Sequence, residues 1–227
     1  MVYFCIIFIA SRLIQVPNYT ANIATTQKAT DCTVSEAMRR KEFYMLWFML
    51  FINITCGIAL LSVAAPLLQD ITGISALAAA GIVGIMGIFN GAGRLVWSSV
   101  SDYLGRPFTY SGFFVLEIIA ILVLSQITAV LPFELLLFLI VSCYGGGFSC
   151  MPAYLSDVFG TKQLSAIHGR VLSAWAMAGI AGPCIITWVK ATSNNYSNAL
   201  VIFAVLYGLA LGVSLFLSNK LKRSAAA

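Results

Sequence analysis

The sequence predicts an all-α polytopic membrane protein with a bundle of six transmembrane helices. Of its 227 residues, 60% are hydrophobic and 9% are charged, whereas a soluble domain carries roughly 25% charged residues. The mean hydropathy of +0.95 indicates more apolar surface than a soluble globule of this length can bury. These values exclude a soluble enzyme, a nucleic-acid-binding module and a disordered chain. The apolar runs are continuous rather than alternating, which favours helices over a β-barrel.

Six apolar runs are long enough to cross a bilayer, which requires about 20 helical residues. They occupy residues 43–68, 76–100, 108–130, 133–159, 168–189 and 198–217. A seventh run, 2–14, is shorter. Its only basic residue, Arg12, follows most of the apolar stretch, which is the reverse of the order in a signal peptide. We therefore expect residues 1–14 to be the tail of a preceding transmembrane helix.

The distribution of Lys and Arg predicts the orientation, because cytoplasmic loops of membrane proteins are rich in these residues. If the segment before the first long run is cytoplasmic, eleven Lys and Arg residues fall on the cytoplasmic side. Only Lys190 then falls outside, and Arg94 lies within a span. We expect a multi-pass protein of the plasma membrane in this orientation.

The remaining segments follow from this orientation. They are a cytoplasmic linker at 15–42, the six-helix bundle at 43–218 and a cytoplasmic tail at 219–227. Within the linker, Thr33 and Glu36 have the spacing of a capping box. This pattern predicts a short basic helix that runs through Lys41.

The six Cys and the single His predict no metal site and no disulfide framework. No CxxC pair occurs, five of the Cys lie inside apolar runs, and His168 has no Cys or His at ligand spacing. No glycine-rich phosphate loop lies next to a lysine, so the sequence gives no support for ATP-driven transport. We expect no cofactor.

The most specific stretch, residues 93–107, ends the second span and turns into the third on the predicted cytoplasmic side. Gly105 permits a sharp reversal of the backbone. Asp102 and Arg106 can pair with each other or with a neighbouring helix end. Asp157, near the cytoplasmic end of the fourth span, is a candidate partner for Arg106. We predict that these four residues act in gating and assembly. The alternative is a plain surface turn.

This stretch resembles the short-loop motif of the major facilitator superfamily, which reads roughly G-x-x-x-D-x-x-G-R-[RK]. Asp102, Gly105 and Arg106 match the motif, whereas Ser98, Tyr103 and Pro107 depart from it. Residues 33–57, 144–160 and 167–183 further resemble the oxalate/formate antiporter family, a branch close to the monocarboxylate transporters. The resemblance implies the C-terminal half of a major facilitator superfamily fold, in which six spans form one half.

Arg94 is the first candidate for substrate binding. It lies eight residues before Asp102, about 12 Å from the cytoplasmic end of its helix. A guanidinium at that depth costs at least about 2.5 kcal/mol unless it faces a polar cavity or a partner. Asn90 at i−4 and Trp97 at i+3 share its helix face. This set suits a small carboxylate, which Arg binds through two hydrogen bonds. The alternative is an Arg that extends to the interface or pairs with a loop acid.

Other polar residues inside the spans are secondary candidates. Asn53, Thr55, Tyr144 and Trp175 can contact a ligand, and each can equally bond to a neighbouring helix. Glu117 lies near the middle of its span, where an acid is a candidate proton carrier or a partner for a buried cation. A protonated Glu with a structural role is the alternative.

The expected function is that of a secondary active transporter, here its C-terminal half, that moves small carboxylates by alternating access. Transport would run as anion exchange or coupled to a proton. The fifth span has no Lys or Arg between positions 171 and 189, which favours a monocarboxylate over oxalate. The expected partners are a small organic anion, with or without H⁺, the lipid bilayer, and the missing N-terminal half or a second copy. The alternatives are a sugar or drug carrier of the same superfamily, and a non-transporting remnant or sensor subunit.

Overall fold

The computed structural model describes Phe8, Arg12 and residues 31–226, with side chains to Arg223. The predicted tail of a preceding span at 1–14 and the first part of the linker at 15–30 lie outside the described residues, apart from Phe8 and Arg12. In residues 31–226 every regular element is an α-helix. The helices are α1 Val34–Arg39, α2 Lys41–Thr72, α3 Ala76–Leu104, α4 Arg106–Leu124, α5 Val130–Phe159, α6 Leu164–Val171, α7 Ser173–Ser193 and α8 Ser197–Ala226.

Six segments in the described part are long and apolar enough to cross a membrane, and they confirm the predicted all-α, six-span architecture. Four of them are α2, α3, α4 and α5. The fifth, Leu164–Ser193, combines α6 and α7, which are separated only at Leu172, and the sixth lies in α8. The fifth span begins earlier than the predicted residue 168, and α8 continues through the segment predicted as a tail.

The predicted end of the third span is wrong. The third span was expected to reach residue 130, but α4 ends at Leu124, and residue 130 is the first residue of α5. The chain turns at Ser125 and Gln126, and residues 127–129 are not helical. This connection contains the polar residues Ser125, Gln126 and Thr128, which mark the helix end, whereas Ile127 and Ala129 keep the stretch apolar enough to be included in the predicted span.

The linker helix α1 begins at a capping box, and the residue Asp31 before it bonds to the loop after α5. The backbone N–H of Thr33 donates to Glu36 Oε2 at 2.7 Å, and Thr33 Oγ1 accepts from the Glu36 N–H at 3.3 Å. The predicted capping box is therefore present, although the helix ends at Arg39 rather than Lys41. The backbone N–H of Thr33 and its hydroxyl, which donates to Glu36 Oε2 at 2.8 Å, lower the pKa of the Glu36 carboxyl, the backbone bond most. Just before α1, Asp31 accepts from the N–H of Thr161 at 3.1 Å, which joins the linker to the loop after α5.

The helices pack mainly as three pairs: α3 along α5, α2 along α7, and α4 along α8. α2 is the most central, since 67% of its apolar window is buried, against 22% for α3 and 28% for the fifth span. α3 and the fifth span are also the two least buried spans, and they expose apolar residues such as Leu77 on α3 and Ile180 on α7. Apolar residues are exposed on α4, α5 and α8 as well. We call the exposed surfaces of α3 and α7 the open face.

Glycines allow close approach inside two of these pairs. A Cβ at Gly93 would collide with the Ser142 backbone, which brings α3 against α5. A Cβ at Gly182 would collide with the Thr55 carbonyl oxygen, which brings α7 against α2. Such contacts are typical of helices in lipid, where packing and hydrogen bonds replace the hydrophobic effect. By contrast, Gly91 has no atom within 4 Å of an added Cβ, although its GxxxG spacing suggests a packing role.

We predict that Gly182→Ala destabilises the bundle by about 1–3 kcal/mol, because the added methyl group overpacks the contact between α7 and α2. The measurement is thermal unfolding of the purified protein in detergent. Gly179→Ala is the matched control, since it lies one turn away on the same helix with open space around its Cα. Equal unfolding temperatures for the two variants would contradict the close α2–α7 contact.

Candidate functional site

Arg94 lies on the open face of the bundle. It is exposed on α3, ten residues before the helix ends at Leu104, which places it about 15 Å from that end. Its guanidinium carbon lies 5.1 Å from the centroid of the Phe148 ring, a cation–π distance. None of the ion pairs in the described part includes Arg94. The residue therefore offers an accessible cation within the membrane-spanning part.

Aromatic side chains from two other helices adjoin this cation. Phe148 meets Trp175 edge to face, with ring centroids 5.7 Å apart, and Trp175 is 48% exposed. Tyr144, one turn before Phe148 on α5, is within electrostatic range of Arg94. The structure thus brings together the predicted residues Arg94, Tyr144 and Trp175 from α3, α5 and α7. We call these three residues with Phe148 the Arg94 site.

Phe148 is the residue of this site that the sequence reasoning missed. The available signal was its position four residues after Tyr144, which places both on one face of α5. A Phe in a 60% hydrophobic chain carries no distinguishing signal of its own. Its importance appears only when α3 is placed beside α5.

The hydroxyls of two serines bond to the backbone of α3 at Arg94. The carbonyl oxygen of Arg94 accepts from Ser98 Oγ at 2.6 Å and from Ser149 Oγ at 3.0 Å. Ser98 Oγ and Ser149 Oγ lie within hydrogen-bond distance of each other at 2.8 Å. Ser98 stands where the superfamily motif usually has Gly, and here its side chain ties α3 to α5.

Asn90 and Trp97 are turned towards α5 rather than towards the open face. Asn90 Nδ2 donates to the Val141 carbonyl at 3.1 Å, and Trp97 Nε1 donates to Ser142 Oγ at 3.2 Å. Both are half-buried. One N–H of Asn90 and the indole N–H of Trp97 are therefore used between helices.

Asn53 and Glu117 form a second polar cluster inside the bundle. Both are fully buried, and Asn53 Nδ2 donates to Glu117 Oε1 at 3.1 Å. Within the described part, Glu117 Oε2 and Asn53 Oδ1 have no hydrogen-bond partner. Thr55, also buried, donates to the carbonyl of Phe51 in its own helix at 2.6 Å. None of the three belongs to the Arg94 site.

The motif residues form an ion-pair cluster at one end of the bundle. Arg106 bonds to Asp102 and to the hydroxyl of Ser101. Arg106 Nε also lies 3.8 Å from Asp157 Oδ2 at the end of α5. Gly105 has φ 85°, in the left-handed region that favours glycine, and it separates α3 from α4. The cluster joins three helix ends. Its role in gating stays a prediction.

The chemistry of the Arg94 site suits an anion. A guanidinium presents N–H donors in a planar fork that matches a carboxylate, and the aromatic rings beside it provide apolar walls. Nothing in the described part gathers three His, Cys, Asp or Glu side chains as a metal site would require.

Curated relatives resemble the chain at low identity. It is 28% identical over 207 residues to the oxalate:formate antiporter of Oxalobacter formigenes, an alignment covering 88% of this chain and 48% of that protein. It is 25% identical over 177 residues to an uncharacterised transporter of Escherichia coli, with 77% and 44% coverage. A putative tartrate transporter of Agrobacterium vitis is 26% identical over 176 residues, with 75% and 40% coverage. The chain thus spans about half the length of the curated relatives it matches.

The family model of the Major Facilitator Superfamily matches residues 2–226, almost the whole chain. The six-span helical bundle and the Asp102–Gly105–Arg106 turn agree with this match. The chain belongs to the Major Facilitator Superfamily.

Proposed function

We propose that the chain is the C-terminal half of a secondary transporter for small carboxylates, with Arg94 as the residue that binds the carboxylate. The observation that carries the proposal is the position of the Arg94 guanidinium. It is exposed within a membrane-spanning helix, it lies beside the Phe148 ring, and it takes part in none of the ion pairs of the described part. Such a cation is costly in lipid unless it faces a polar cavity or a ligand. The name of the Oxalobacter relative supports the same class of substrate.

The Arg94 site favours an anion with one carboxylate. Lys190, the basic residue at the far end of α7, pairs with Asp70 at 2.7 Å and is removed from this site. The hydroxyl of Tyr144 and the indole N–H of Trp175 are the further donors that we assign to the substrate. Asn90 and Trp97 then act indirectly, by fixing α3 on α5 so that Arg94 points to the open face.

The open face is the surface on which the second bundle would pack. It presents apolar residues such as Leu95 and Met177, which a single chain leaves uncovered. An N-terminal six-helix half, or a second copy, would enclose the Arg94 site between two bundles, and rocking of the bundles would give alternating access. In this arrangement the linker and the C-terminal end of the chain lie in the cytoplasm, and the protein resides in the plasma membrane.

Transport would be gated at the cytoplasmic end by the cluster of Asp102, Gly105, Arg106 and Asp157. The supporting observation is that Arg106 contacts acids on two different helices, α3 and α5. Exposed ion pairs of this kind contribute about 1 kcal/mol or less. They can therefore be broken and remade during each transport cycle.

Glu117 is the candidate proton site if transport is proton-coupled. Its carboxyl is buried beside Asn53, and the described part pairs it with no cation. An unpaired carboxylate is costly in such a place, which supports a neutral acid with a proton to exchange when the packing opens. Simple anion exchange, with Glu117 in a structural role, is the alternative.

We predict that Arg94→Gln lowers uptake of labelled formate or lactate at least about tenfold, because hydrogen bonds to a charged group contribute about 1.5–3 kcal/mol each. Uptake is measured in cells that express the complete coding region. Arg170→Gln, an exposed Arg outside the site, is the control and should transport normally. If the two variants transport equally, the assignment of Arg94 is wrong. Uptake of sugars or drugs instead of carboxylates would favour the other carrier classes.

We predict that Arg106→Gln lowers the maximal rate of transport by about two- to fivefold and leaves KM unchanged, because it removes ion pairs at the gate and no substrate contact. Exchange rates in proteoliposomes provide the measurement. Lys162→Gln serves as the control, since Lys162 is exposed on the same side of the bundle. A rise in KM at constant rate would instead place Arg106 in substrate binding.

We predict that Glu117→Gln removes the pH dependence of uptake if the carrier is proton-coupled, while the fold is kept because Gln retains the hydrogen bond from Asn53. Uptake is compared across neutral and mildly acidic pH. Glu134→Gln, at the other side of the turn after α4, is the control. An unchanged pH profile in both variants would assign Glu117 a structural role.

A further inference from the structure

A groove of about 600 Å³ runs between the start of α4 and the end of α8. These two helices contribute no residue to the Arg94 site. Ser111, which lines the groove, joins the helices through a hydrogen bond of 2.9 Å between its hydroxyl and that of the buried Ser214. Apart from Gly105, the proposed transport function uses none of the described residues that line the groove.

The lining of the groove changes from apolar to polar along α8. Leu215 is 50% exposed at the apolar end, Asn219 follows one turn later, and Lys222 closes the polar end. Seven residues separate Leu215 from Lys222, which corresponds to about 10 Å. On α4, Phe108 is 64% exposed and faces the same groove. A groove with apolar walls at one end and a polar rim at the other suits a lipid at the bilayer surface, where acyl chains meet headgroups.

The charge of the rim is positive. Lys222 is exposed, and the ion pairs of the described part do not include it, whereas Lys220 pairs with Glu42 at 2.7 Å. None of the described residues that line the groove is acidic. α4 begins there without a side-chain cap, so its N-terminus adds a partial positive charge. A groove of this kind attracts an anion that carries its own apolar chain.

We propose that this groove binds an anionic phospholipid, with an acyl chain against Phe108 and Leu215 and the phosphate at Lys222. Basic pockets between transmembrane helices on the cytoplasmic side are typical sites for anionic headgroups. A neutral phosphatidylcholine offers the same chains without net charge, so the lysine gives the site its preference. The proposal does not depend on what the protein transports.

The test compares lipid retention in the purified full-length chain. The protein is placed in nanodiscs of phosphatidylcholine alone or mixed with phosphatidylglycerol, and bound lipids are counted by native mass spectrometry. Lys222→Ala should lower phosphatidylglycerol retention about fivefold, which corresponds to the ~1 kcal/mol that one basic residue contributes at an anionic surface. Lys162→Ala removes an equally exposed lysine outside the groove and should retain the lipid as the unchanged protein does.

A second variant tests the groove itself. Ser218→Phe fills the space between the helices and leaves Lys222 in place, so it should also reduce phosphatidylglycerol retention. Unfolding temperatures in detergent verify that each variant is folded. Equal losses for Lys222→Ala and Lys162→Ala would show general surface attraction and overturn the proposal. It would also be overturned if Ser218→Phe retained the lipid fully, or if phosphatidylcholine bound as well as phosphatidylglycerol.

Discussion

The close contact between α3 and α5 is the constraint on which the rest of the candidate site depends. Gly93 on α3 and Gly145 on α5 bring the two backbones together without intervening side chains. At this distance the side chains of Asn90 and Trp97 can bond across the interface, which fixes the rotation of α3. That rotation in turn directs Arg94 over Phe148. A larger residue at either glycine would therefore shift Arg94, which directly follows Gly93 and lies one turn from Asn90, the residue that Gly145 meets.

The six spans could be predicted because hydropathy measures what a bilayer requires, an uninterrupted apolar helix of sufficient length. The capping box at Thr33 was predictable for a similar reason, since both partners lie within one turn. The turn after Leu124 was missed because Ile127 and Ala129 extend the apolar run past it, although Ser125 and Gln126 signal the helix end. Helical periodicity placed Asn90 and Arg94 on one face of α3, but it does not show which neighbouring helix each side of that face meets. Phe148 could not be found for the same reason.

The bundle contains three polar groups that differ in their exposure to solvent. The Arg94 site lies on the open face, where a ligand or a second bundle can reach it. The Glu117–Asn53 pair is fully buried between helices. The Arg106 cluster lies at the helix ends, where water weakens its ion pairs. The three groups thus differ in their access to water, and for Glu117 proton exchange would require the packing to open.

The hydrogen bonds of the linker determine which helix would first bear a force applied to the chain before residue 31. Asp31 bonds to the N–H of Thr161, and the N–H of Cys32 donates to the Phe159 carbonyl at 2.9 Å. A pull on the chain before residue 31 therefore acts first on the end of α5, not on α2, although α2 is the next long helix in the sequence. Asp157 lies two residues before Phe159 on that same helix end. Residues 31 and 32 are thus held close to Asp157, the acid that Arg106 approaches from α4, so a change at this point of the linker would reach the ion pairs before it reached α2.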